Sequence, residues 1–280
     1  MELTHALYAV EDGLATITLN RPEARNALSE EMRADLDHII ADIKSKLGDE
    51  VKAVLITGAG HSFCAGGDVK AMGGRDRGDA ISGRARMRRS QTRLFELLHL
   101  ECPVVAAVNG HAAGAGFGLA LMADFIIAGP GTRFTCSFGK IGLMPDWGTI
   151  YTLPRVVGMQ NAKDIVFTGR RVKPDEAKDL GIVHRIAPSD EELLAYATAF
   201  ARRFCSASTA AIGTAKVLMT KAYESDHRTM LEFEAFGQAQ LYSTDFHKEA
   251  VRRFAAKEPA LFDWDQMERD AEDKKRDAAE

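Results

Sequence analysis

A chain of 280 residues, 46% of them hydrophobic, can bury the core of one large α/β domain or of a domain with an appendage. Its formal net charge of -4 gives no electrostatic reason to expect nucleic acid or an anionic membrane surface as a partner. Four cysteines, Cys64, Cys102, Cys136 and Cys205, stand without CxxC spacing, which argues against a disulfide framework or a zinc site and for a reducing compartment. No apolar run approaches the roughly eighteen residues of a membrane span and the start of the chain lacks a leader pattern, so the expectation is a soluble cytoplasmic protein.

Residues 7–10 and 14–19 are short runs, apolar or alternating, around Glu11-Asp12-Gly13; the pattern predicts a hairpin that Asn20-Arg21-Pro22 ends. Ser29 is placed to cap a helix whose first turn carries Glu30 and Glu31. In that helix Met32, Leu36, Ile39, Ile40 and Ile43 share one apolar face. A buried strand expected at 51–57 delivers the chain into a glycine cluster, GAGHSFCAGGD at 58–68, followed by a short helix at 69–72. Residues 73–89, rich in Gly, Arg and Asp, read as a solvated loop or as a lid whose arginines meet a phosphate. Helical spacing resumes at 90–98.

The stretch PVVAAVNGHAAGAGFGLALMADFIIA, residues 103–128, opens as a fully buried strand. Gly110, Gly114, Gly116 and Gly118 then lead into a buried helix, a geometry that offers bare amides to an anion. Further strands are expected at 125–128, 133–136 and 183–187 and helices at 151–157 and 161–168; Pro174 stands where helices begin, and the pattern is mainly helical from Ser189. Strands alternating with helices up to residue 187 argue for parallel α/β units carrying a helical extension. The charge-rich end, 263–280, is expected to be partly disordered or solvated.

The two glycine clusters suggest a shared task. A thioester deprotonated at its α-carbon develops negative charge on the carbonyl oxygen, and two converging backbone N–H groups stabilise it; removing one such donor costs about 3 kcal/mol of barrier.

TGAGHSFCAGGDVKAM together with PVVAAVNGHAAGAGFGLALMADFIIA resembles the paired signature of the crotonase family, the enoyl-CoA hydratase/isomerase superfamily. The likeness runs from LNRPEARNALS to about residue 262. It implies a crotonase-like α/β spiral of ββα turns over 1–200, a helical region at 201–262 that builds trimers often paired into hexamers, and a charged tail at 263–280. It also implies an acyl-coenzyme A substrate and no metal or redox cofactor. By the same resemblance the oxyanion donors fall on the amides of Gly67 and Ala115, the second usually glycine in the family. Arg25 and Ala27 match the segment that meets the CoA phosphates and adenine, and Ala65, Asp68, Val69 and Lys70 match the strip along adenine and pantetheine. For Arg25 and Lys70, ordinary surface charge is the alternative account. Phe254 and Lys257 are candidates to reach a CoA, from their own or a neighbouring subunit.

Hydratases of this family use two glutamates, and the matching positions here are Gly118 and Phe138, neither of which moves a proton. What remains is Asp146 in KIGLMPDWGTIYTLPRVVG, expected among Met144, Trp147 and Phe138, where apolar surroundings make a carboxyl harder to ionise and a better base. An aspartate here resembles the isomerases of phenylacetate catabolism, with Thr149 in place of the last glycine of their loop, and the 4-chlorobenzoyl-CoA dehalogenases, whose required histidine is Gln91 in this chain. By itself, Asp146 before a helix starting at Thr149 reads as a helix cap. His61 and His111 stand beside the two glycine turns as alternative acids or polar walls. The leading expectation is an enoyl-CoA isomerase with Asp146 as acid/base. Hydration or thioester hydrolysis through a water on Asp146, a catalytically silent acyl-CoA-binding subunit, and a nucleotide-binding enzyme built on Gly114-Ala115-Gly116-Phe117-Gly118 are the alternatives.

Overall fold

The computed structural model describes residues 2–68 and 79–277. Asp12 and Gly13, both left-handed at φ 49° and 83°, fold β1 (Ala6–Glu11) back onto β2 (Leu14–Leu19) as the predicted antiparallel hairpin. Ser29 caps α1 (Glu30–Lys46), its Oγ accepting from the Met32 amide at 3.1 Å, and the five apolar residues of the predicted face are buried. The chain continues through β3 (Ala53–Gly58), α2 (Ala80–Leu98), β4 (Val104–Val108), β5 (His111–Ala113), α3 (Ala115–Ala120), β6 (Phe125–Ala128) and β7 (Arg133–Thr135). Then come α4 (Thr149–Val157), α5 (Met159–Thr168), β8 (Arg171–Val172), α6 (Pro174–Asp179), β9 (Arg185–Ile186) and α7 (Leu193–Arg203). Four helices end the chain: α8 (Thr209–Lys221), α9 (His227–Leu241), α10 (Asp245–Ala256) and α11 (Trp264–Asp277).

The alternation of strand and helix produces two sheets. The larger has six strands in the order β1-β2-β3-β4-β6-β9, every pair after the hairpin parallel. The smaller orders β5-β7-β8 and is prolonged by single parallel bridges, Cys64 to Ala112 and Leu28 to Gly67. From β4 to β7 the strands alternate between the large sheet and the small one, and β2, β3 and β4 lie side by side in the large sheet. That places the exits of β3 and β4 side by side, where the two glycine clusters lie.

The large sheet is apolar on both faces, as parallel sheets are. One face packs with α1 and the small sheet; Leu14, Leu55, Val105 and Ile127 on the other are covered by Leu193, Ala197 and Phe200 of α7. The helix α8 is tied to the start of β4 by a charge pair no pattern revealed. Lys216 Nζ donates to Cys102 O at 3.1 Å and to Asp124 Oδ2 at 2.7 Å, and the same carboxylate oxygen accepts from the Val104 amide at 2.7 Å.

Three expectations need correction. Much of the stretch read as a loop at 73–89 is helix: Asp79 Oδ1 accepts from the Ser82 amide at 2.8 Å and α2 starts at Ala80, built from alanine, arginine and methionine, all good helix formers. Residues 73–78, and the helix expected at 69–72, lie outside the described residues. The apolar run after β4 first makes the short strand β5, and α3 spans six residues only. The tail expected to be partly disordered or solvated is largely exposed but ordered as the helix α11 through Asp277: Trp264 packs on Phe200 and Phe204, and Glu268 pairs with Arg185 and Arg203.

Candidate active site

Each glycine turn is fixed by an asparagine. Asn26, fully buried and left-handed at φ 55°, accepts from the Arg21 amide at 2.8 Å and donates to Ala59 O at 2.9 Å and Ser62 O at 2.7 Å. Asn109 donates from Nδ2 to Gly58 O and Gly60 O, both at 2.8 Å, and accepts from the Gly58 amide at 3.3 Å. One side chain latches the Arg25 segment onto the first glycine turn, the other latches the second turn onto the first. Neither latch follows from local spacing; an Asn within or beside a turn that leaves a strand is the available signal.

The latches bring the two expected oxyanion donors together. Cys64 exchanges backbone hydrogen bonds with β5, its amide donating to His111 O at 3.0 Å and its carbonyl accepting from Ala113 at 2.9 Å. Gly66 is left-handed at φ 95°, and a Cβ there would meet Ala113 O at 2.6 Å and the Ala115 nitrogen at 3.2 Å, so only glycine allows this approach. Gly114, at φ 51°, turns the chain into α3. Among the described residues, neither the Gly67 nor the Ala115 amide donates a hydrogen bond to protein. Two neighbouring backbone donors are therefore open to a ligand oxygen.

Two of the segments expected to meet a CoA are joined to each other. The Ala65 amide donates to Arg25 O at 2.9 Å, joining two segments far apart in sequence; Arg25 is exposed and Ala27 buried. Asp68 is engaged by Arg21, Nη1 to Oδ2 at 2.6 Å, so its carboxylate braces the loop. Val69, Lys70 and Met72 lie outside the described residues. His61 and His111 are both exposed. Phe254 is 88% exposed on α10, and Lys257 ends that helix in a left-handed conformation.

Asp146 lies where Pro145 to Thr149 lead into α4, and it does not cap that helix. The cap position belongs to Gly148, and no side chain caps there. Trp147, next to Asp146, is buried yet left-handed at φ 49°, a strained conformation for a bulky residue. Of the apolar neighbours expected, Trp147 and Phe138 are buried, whereas Met144 is 71% exposed and shields nothing. Asp146 Oδ1 is buried without a hydrogen-bond partner. Burial pushes the carboxyl above the usual carboxylate range, and the nearby charge of Arg33 on α1 partly opposes the rise. The Arg33 guanidinium carbon is 5.7 Å from the Trp147 ring centroid. Cys136, the other titratable neighbour, is pushed up to about 11 by burial and then by the Asp146 charge.

The two positions expected to lack a glutamate are filled. A Cβ at Gly118 would meet Trp147 O at 2.5 Å and Thr149 Oγ1 at 2.8 Å, and Phe138 lies beside Gly114 with its ring. The structure therefore offers a half-buried, reluctantly ionised carboxyl on the loop packed against Gly118 of α3 and two neighbouring open amides, one of them at the start of α3, the equipment for moving a proton on a substrate whose oxygen gathers charge.

Such an arrangement on two layered sheets with a helical end defines an acyl-thioester enzyme of the crotonase type. The family model described as Enoyl-CoA hydratase/isomerase matches residues 9–266. A short-chain-enoyl-CoA hydratase of Clostridium acetobutylicum is 34% identical over 92% of this chain and 97% of its own length. A 1,2-epoxyphenylacetyl-CoA isomerase of Escherichia coli is 34% identical over 90% and 96%. Among solved structures, an enoyl-CoA hydratase/isomerase from Cupriavidus metallidurans superposes with a TM-score of 0.87 at 31% identity, over 94% of this chain and 97% of that one. The chain belongs to the enoyl-CoA hydratase/isomerase family, the crotonase superfamily of acyl-CoA-processing enzymes.

Proposed function

We propose that this protein moves a double bond in an acyl-CoA thioester. The thioester oxygen sits between the Gly67 and Ala115 amides; Asp146 takes a proton from carbon, the C–H electrons pass into an enolate held by those amides, and the protonated carboxyl returns the proton at a different carbon. The observation that carries this reading is the unpartnered, buried oxygen of Asp146, whose neighbours Trp147 and Thr149 leave Gly118 no room for a side chain. With a single carboxyl, a proton can be shuttled without a second group to hold water. Coenzyme A enters as part of the substrate, and the chemistry calls on no metal or redox group. The exposed apolar residues Met219, Tyr223, Phe236 and Phe254 along α8 to α10 support a trimer or a pair of trimers.

Hydration through a water on Asp146 is the second reading, favoured by hydratase names among the relatives. Incubation with a panel of enoyl-CoA thioesters in deuterated water separates the two. The isomerase puts label at the α or γ carbon and forms no hydroxyacyl-CoA, and Asp146→Asn lowers that exchange by about a hundredfold or more. Hydroxyacyl-CoA would indicate hydration, free CoA hydrolysis, and saturable binding without turnover a silent subunit. Undiminished exchange by Asp146→Asn would remove this residue from the chemistry.

A further inference from the structure

We infer that Thr149 belongs to the reacting site, its hydroxyl and Asp146 Oδ1 together holding one O–H group; this rests on Asp146 being the acid/base proposed above. Among the described residues, the buried side-chain oxygens without a hydrogen-bond partner are these two. They flank the strained Trp147 across one turn, in which the Thr149 amide donates to Asp146 O at 3.0 Å. Thr149 is 0% exposed, and its hydroxyl faces Gly118 of α3.

A purely structural threonine does not fit this setting. Three residues on, Thr152 donates to Gly148 O at 3.1 Å, the usual way a helical hydroxyl is satisfied. The Thr149 hydroxyl caps nothing, and burying it unbonded costs stability that a valine of the same shape would not lose. A partner that arrives with the substrate removes the discrepancy. Threonine offers a donor and the ionised carboxylate offers only acceptors, so the group that satisfies both accepts from Thr149 and donates to Asp146. An O–H group does this, carried either by a water molecule or by a hydroxyl on the acyl chain.

The test compares wild type, Thr149→Val and Thr149→Ser for binding of butyryl-CoA and 3-hydroxybutyryl-CoA and for deuterium exchange into both, with melting temperatures measured alongside. The expected result is a Thr149→Val protein that melts no lower than wild type yet loses function, with Thr149→Ser restoring it. A loss of about tenfold in affinity confined to the hydroxylated thioester assigns the O–H to the acyl chain. An equal loss of exchange on both thioesters assigns it to water. Unchanged binding and exchange in Thr149→Val, or a loss that serine does not restore, overturns the inference. Asp146→Asn in the same assays reads the parent proposal separately: wild-type exchange there refutes the acid/base role while the binding comparison still decides Thr149. Binding of neither thioester would sink both.

Discussion

The loop at 58–67 and the loop at 145–149 both carry residues of the proposed site and are built on opposite terms. In the first, Asn26 and Asn109 satisfy one carbonyl after another, and the neighbouring amides of Gly67 and Ala115 donate to no protein group among the described residues. In the second, a bulky residue is left-handed and two buried oxygens have no partner. Backbone pinned by side-chain hydrogen bonds suits a feature that must hold its geometry while charge develops; unsatisfied side chains suit a feature whose partner is the substrate. Stability was settled in one loop and conceded in the other.

The sharpest way to break the contrast is Asn26→Ala, which orphans the Arg21 amide and two carbonyls and forces alanine into a left-handed position. A loss of about 3 kcal/mol or more in chemical denaturation is expected, with exchange activity falling in parallel because the Gly67 amide is no longer held. Wild-type stability would mean that the first loop is not fixed by its latch. Gly118→Ala drives a methyl group against Trp147 O and Thr149 Oγ1 and should cost about 1–3 kcal/mol. Gly118→Glu should destabilise more and yield no hydratase activity, because the space for that side chain is already filled by Trp147 and Thr149. Hydroxyacyl-CoA formed by this variant would refute that account.

Two smaller effects sharpen the description of the second loop. Burial raises the Asp146 pKa, so between the ordinary aspartate value and the native one the folded protein holds a proton that the unfolded chain has released. The corresponding stability is fully present below the ordinary aspartate value and is lost as pH rises through the native one. Asp146→Asn should therefore melt above wild type at neutral pH, the gap closing as acid takes the sample below the ordinary carboxylate range; a variant that melts lower would indicate that the carboxylate has a structural partner. Arg33→Met removes the charge that holds Asp146 down. The acid limb of its pH–rate profile should shift to higher pH, and Arg33→Lys should lie between it and wild type. An unmoved limb would separate Arg33 from the acid/base.

Much of this was legible in the primary structure because it depends on local periodicity. The hairpin around Asp12-Gly13, the capped α1 and the parallel core follow from alternation, capping and apolar runs. The glycine turns and the missing glutamates could be read for the same reason, since each is a matter of which residue stands at one position. The helix from Ala80 and the helix from Trp264 were hidden by charged composition, and the second is held by Phe200, Phe204, Arg185 and Arg203, which no local window contains.

The amino-acid order by itself determined the class of fold and the family, and it named the two amides and the carboxyl on which the proposed chemistry rests. Only the folded chain decided that Asn26 and Asn109 lock the glycine turns, that Asp68 is spoken for by Arg21, and that Asp146 faces Arg33 and shares its unsatisfied state with Thr149. The reason is physical: propensity and spacing act within a turn or two of chain, whereas burial, pairing and the absence of a partner arise from surfaces that meet across the two sheets.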